Sequence, residues 1–109
     1  MKTEQITILT RSDRYSKEYA LRSIEGYTDP TFPGLAVHRG IEYEHDFWYV
    51  THLKSGYSIH SLPFDKRKQA VLYATEAAKV VDWTRDAEAV LDQHPDRTLI
   101  KAYTKAIAV

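Results

Sequence analysis

Cysteine is absent from the chain. That excludes disulfide staples, thiol nucleophiles and cysteine-ligated zinc, and it fits a reducing compartment. No run of apolar residues is long enough to span a bilayer, and the opening MKTEQITILT lacks the apolar stretch of a signal peptide. The expectation is a cytoplasmic protein with no membrane partner. Net charge is absent too: 15 basic residues balance 15 acidic ones. A protein that binds nucleic acid non-specifically draws its affinity from surplus Lys and Arg, so the balance weighs against that role. It hides local bias. Residues 41–46 (IEYEHD) are acidic, residues 47–79 are net basic through Lys66, Arg67 and Lys68, and the tail after Val81 is slightly acidic.

What the chain has in quantity is aromatic surface. Eight tyrosines and two tryptophans stand among 109 residues. Tyrosine has an apolar body and a polar tip, which suits half-buried sheet positions and interfaces alike. The length is that of one domain, 1–109, large enough to form a core without metal or disulfides. Residues 1–62 are rich in Tyr, Thr, Ile and Val with Pro and Gly punctuation and read as strands. Residues 64–109 are rich in Ala, Lys, Glu and Asp and read as helices.

Within the first zone, residues 4–10 (EQITILT) alternate Ile6 and Ile8 with polar neighbours, a strand pattern. Residues 16–27 are read as strand, with a helical turn from Tyr15, Tyr19 and Ala20 as the alternative. Two prolines and a glycine make 28–34 (TDPTFPG) a loop. Residues 34–40 (GLAVHRG) form a short strand with Leu35 and Val37 on one side, Ala36 and His38 on the other. Residues 48–60 (WYVTHLKSGYSIH) suit a hairpin with Gly56 in the left-handed position. That register pairs Val50 with Ile59 and His52 with Tyr57 on the core face, and Tyr49 with His60 and Thr51 with Ser58 on the other. A slip of one residue would mix the two sets.

A helix follows, with Asp65 as expected N-cap and Phe64 as staple. Ala70, Val71, Ala74, Ala77, Ala78 and Val81 fall on one side of it, and the small alanines allow close approach to a sheet. Asp82-Trp83-Thr84 breaks this helix, with Trp83 wedged between helices and sheet rim. Thr84 is expected to cap a second helix carrying Ala87, Val90 and Leu91. A last helix carries Leu99, Ile100, Tyr103, Ala106 and Ile107. The expected fold is α+β: an antiparallel sheet of four or five strands with an Ala-rich helix and two shorter helices on one face.

WYVTHLKSG, the helix start FDKRKQA and the closing DWT resemble a pattern in small accessory proteins of phages and plasmids, over residues 36–84. The resemblance implies a mobile-element accessory protein that acts on a host or defence protein. It implies no catalytic residue.

The candidate contact face is the one the helices leave uncovered: His38, Tyr49, Thr51, Ser58 and His60, with Phe47 at its edge. Aromatic and hydrogen-bonding groups on strands can hold a protein partner, a second copy of the chain, or stacked bases. An ordinary solvent-facing sheet is the plainer alternative. Lys66, Arg67 and Lys68 at a helix start could meet a phosphate or an acidic surface; a solvated charge run is the simpler account. His38 and His60 could lie close, but two ligands are too few for zinc, and Glu42, Glu44, His45 and Asp46 read as a solvated loop. No metal or cofactor is expected. His52 is expected to be a partly buried histidine bonded to a neighbour. No glycine-rich phosphate loop, H-E-x-x-H or nucleophile elbow occurs. The expected function is therefore non-catalytic protein binding, with nucleic-acid binding and a small metal-dependent enzyme at the IEYEHD loop as rivals.

Overall fold

The computed structural model describes residues 1–11, 19–41, 45–60 and 63–92. Four strands, β1 (Lys2–Arg11), β2 (Tyr19–Thr28), β3 (Leu35–Arg39) and β4 (Trp48–His52), form an antiparallel sheet whose spatial order is their chain order. The helices α1 (Arg67–Val80) and α2 (Ala87–Asp92) follow, so the class is α+β as expected. The expected strand within 16–27 is realised as β2. The last expected helix, around Leu99 to Ile107, lies outside the described residues. No helix among the described residues is long and apolar enough to cross a membrane.

On one side of the sheet, Leu35, Val37, Trp48, Val50 and Ile59 pack against Ala70, Ala74 and Ala77 of α1. All three alanines are fully buried, and Phe32, Val81, Trp83 and Val90 complete this cluster. Alternation in the strands and the three-to-four-residue spacing of the alanines suffice to build it. Trp83 is the wedge the sequence implied: its Nε1–H donates to the Ala77 carbonyl at 2.9 Å. Gly34, at φ +85°, lies against the Trp83 backbone where a Cβ would overlap it.

The two helix caps are not those expected. Phe64 still pairs with β4, exchanging 2.8 and 2.9 Å backbone bonds with Trp48. The chain therefore cannot turn into a helix at Asp65, and Lys66, in extended conformation, is the N-cap. Gln69 Oε1 reaches back to accept the Lys66 N–H at 3.2 Å, while Asp65 is exposed. Further on, α2 begins only at Ala87, so Thr84 stands too early in the chain to cap it and instead closes a turn, its hydroxyl and N–H both donating to Asp82 Oδ1. Asp86 is the cap, accepting the Ala89 N–H at 2.9 Å.

The other side of the sheet departs from expectation. It is covered. β2 meets β3 at the single pair Tyr27↔Val37, and beyond that point the β1–β2 hairpin swings over β3. Gly26 permits the crossing, since a Cβ there would stand 2.7 Å from Ile6 Cδ1. Ile6 and Ile8 then pack with Ala36, flanked by Ile24, Ile41 and Leu53. The Leu9 N–H reaches the Gly56 carbonyl at 2.8 Å, so the far edge of the sheet touches the turn after β4. The sheet is thus a half-closed barrel, and the face read as uncovered is its interior. The cause is burial: Ile6, Ile8 and Ile24 share one side of the β1–β2 ribbon and need apolar cover.

Candidate functional site

The hairpin after β4 holds the expected register. Thr51 bridges Ser58, the Ile59 N–H donates to Val50 at 3.0 Å, and the His52 N–H donates to Tyr57 at 2.8 Å. Gly56 has φ +79°. Thr51 and Ser58 therefore share the interior side with Tyr49, His38 and Ala36, by simple alternation.

Beyond Ile59 the ladder is interrupted, and side chains take over its hydrogen bonds. The Val50 N–H donates to His60 Nε2 at 2.8 Å, and the Tyr73 hydroxyl of α1 donates to the Ile59 carbonyl at 3.2 Å. Burial pushes the Tyr73 phenol up to about 12, so it remains a donor at neutral pH. His60 stacks on Tyr49 with centroids 5.7 Å apart, and Tyr49 stacks on His38 at 6.0 Å. Tyr49 thus lies between the two histidines suggested as a metal pair and separates them. No group of three metal-ligating side chains occurs among the described residues. Glu42 and Glu44 lie outside those residues; His45 and Asp46 are exposed, 3.4 Å apart.

A cavity of about 90 Å³ opens at the mouth of the half-barrel. One wall is apolar: Ile8, Leu9 and Ile41. The other is His38, Tyr49, Thr51 and Ser58, with Gly40 at the end. Hydrogen positions on the polar wall follow from the partners. His38 Nδ1 lies 2.8 Å from the Arg39 carbonyl, which can only accept, so Nδ1 carries the proton. Nε2 is then bare and accepts the Thr51 hydroxyl at 2.6 Å. Burial lowers the His38 pKa from 6.5 to about 4, opposed in part by the Arg39 bond, and the ring is neutral at pH 7. The Ser58 hydroxyl likewise donates to the His60 carbonyl at 3.0 Å. The Thr51 and Ser58 hydroxyl hydrogens are thus spent inside the protein. No lining residue carries a charge at neutral pH.

Four of the six residues expected at the contact face line this cavity: His38, Tyr49, Thr51 and Ser58. They do so as the wall of a recess, not as a flat platform; Thr51 is only 2% exposed and His38 3%. His60, also buried, sits behind Tyr49. Phe47 is exposed and is tied to the cavity end, because its carbonyl accepts the Gly40 N–H at 3.0 Å. Leu9, Gly40 and Ile41 were not anticipated as lining. The unplaced apolar alternation of Ile6 and Ile8 is the sequence signal that could have brought β1 to this face.

Lys66, Arg67 and Lys68 are exposed and lie away from the cavity lining. Arg67 stands 5.1 Å over the Tyr27 ring, and Arg39, which the sequence did not single out, stands 4.9 Å over Trp48. The two rings are 6.1 Å apart. A ridge of two guanidiniums and two aromatic rings results. His52 is the structural histidine expected, joining the hairpin to the segment before α2 by accepting from Ser55 at 2.8 Å and donating to the Arg85 carbonyl at 2.7 Å.

Comparison of the chain with protein-family models, with curated proteins and with solved structures found no match.

Proposed function

We propose that this protein is a non-catalytic binding module for a protein partner, and that its contact surface is the mouth of the half-barrel. The observation that carries this reading is the convergence of Tyr49, Thr51, Ser58 and His38 on one small recess, with the exposed Phe47 joined to its end through the Gly40 backbone. Protein interfaces concentrate their energy in a few anchors that fill such recesses, ringed by aromatic contacts. Size supports the assignment. Sites for whole small-molecule ligands run to about 300–1,000 Å³, whereas about 90 Å³ suits one side chain. The likeness to phage and plasmid accessory proteins favours a host or defence protein as the partner. In the test, Phe47→Ala and Ser58→Ala each weaken capture of one identified partner. Phe47→Ala leaves the melting temperature unchanged, while Ser58→Ala, which loses its bond to the His60 carbonyl, lowers it slightly with the protein still folded at the assay temperature. Undiminished capture by the double variant would reject this surface.

A second reading has its own support. Arg39, Lys66, Arg67 and Lys68 are all exposed and have no carboxylate partner among the described residues. Guanidiniums held over aromatic rings can meet phosphate and stacked bases. Binding at this ridge would show as retention on heparin or single-stranded DNA that falls steeply with salt and is lost in an Arg39→Ala, Arg67→Ala double variant.

A further inference from the structure

We infer that the cavity accepts a neutral carboxamide, the side-chain end of an Asn or Gln on the partner. This inference rests on the protein-binding reading and adds the chemistry of the anchor. The polar wall presents lone pairs: Thr51 has given its hydrogen to His38 Nε2, and Ser58, which has given its own to the His60 carbonyl and accepts the His60 N–H at 3.5 Å, keeps one lone pair. An occupant that bonds the Thr51 and Ser58 oxygens must therefore bring hydrogen-bond donors.

Charge narrows the choice. Among the lining residues there is no carboxylate to compensate an ammonium or guanidinium, so a Lys or Arg would lose its hydration without a counter-charge. A carboxylate would set its oxygens against the oxygens of Thr51 and Ser58. An aliphatic side chain would displace water from those oxygens and offer them no hydrogen in return. A primary amide meets every condition: it is neutral, its NH₂ carries two donors, and its methylene stem suits Ile8, Leu9 and Ile41.

The test uses the isolated protein and three probes of nearly equal size: propionamide, propionate and propylammonium. Backbone amide NMR spectra are followed at Leu9, Gly40, Thr51 and Ser58. Propionamide is expected to give saturable shifts at these positions in the millimolar range, with the other two giving none. Ser58→Ala and Thr51→Val should each weaken propionamide binding several-fold. Equal binding of propionate or propylammonium, or shifts that do not saturate or that scatter over the surface, would overturn the inference. The two proposals can fail separately. Propionamide binding alongside partner capture that ignores Ser58→Ala rejects the protein-binding surface alone. Capture that depends on Ser58 without propionamide binding rejects the carboxamide alone.

Discussion

His60 occupies a place in the sheet that belongs to a backbone carbonyl. Its Nε2 accepts the N–H of Val50 at 2.8 Å, at the point where the returning strand leaves the ladder. Its ring also packs against Phe64 at 4.7 Å and Tyr73 at 5.5 Å. Replacing His60 by Ala strands a buried N–H, which alone costs about 1–3 kcal/mol. His60→Gln, whose amide oxygen can accept, should lose less. Urea midpoints for the two variants measure the difference, and a loss below about 0.5 kcal/mol for the alanine variant would show that the bond is dispensable.

His38 makes stability depend on pH. Its folded pKa of about 4 lies below the ordinary 6.5 because burial disfavours the charged ring. The unfolded chain therefore takes up a proton near pH 6.5 while the folded one does not. The contribution is complete above that pH and drains away as pH falls from 6.5 towards 4, amounting to about 3 kcal/mol over the window. His52, shifted the same way chiefly by burial, adds to the loss. Asp29 and Asp82, lowered by their bonds to Thr31 and Thr84, act only below about pH 4. Denaturation curves at pH 7 and pH 5 should show a clear drop, and His38→Gln should flatten it.

Two glycines with positive φ should differ in how they tolerate alanine. At Gly34 the new methyl overlaps the Trp83 backbone, which cannot yield without moving the wedge. A loss above about 4 kcal/mol, or failure to fold, is expected. At Gly56 the nearest atom is the Leu9 nitrogen at 3.2 Å, so the cost is mainly that of left-handed backbone, about 1–2 kcal/mol. Comparable melting temperatures for the two variants would contradict this ranking.

Ala74 is fully buried between α1 and the sheet. Ala74→Leu must push the helix away from β3 and β4, with a cost of about 1–3 kcal/mol. An unchanged midpoint would mean the helix sits more loosely than its alanine stripe implies.

Local rules carried the sequence reading a long way. Alternation placed Leu35 and Val37 opposite Ala36 and His38, Gly56 set the hairpin register, and the alanine spacing found the buried stripe of α1. What escaped was non-local. Nothing near Ile6 or Ile8 in the chain says which surface they cover, and that single unknown decided whether Tyr49 faces a platform or a recess. The misplaced caps have a similar origin: Asp65 and Thr84 have capping chemistry, but pairing of Phe64 with Trp48 and the Asp82 turn had already engaged their segments.

The strands of this sheet are laid side by side in the sequence they are synthesised, so each can zip onto its predecessor across a short connection. Such nearest-neighbour assembly favours rapid folding. The Leu9–Gly56 bond is different, a seam between segments far apart along the polypeptide, and loop-closure entropy makes it a late event. The amide of Leu9 should accordingly exchange with solvent sooner than that of Val50, and the pocket would come into being only once the seam is sewn.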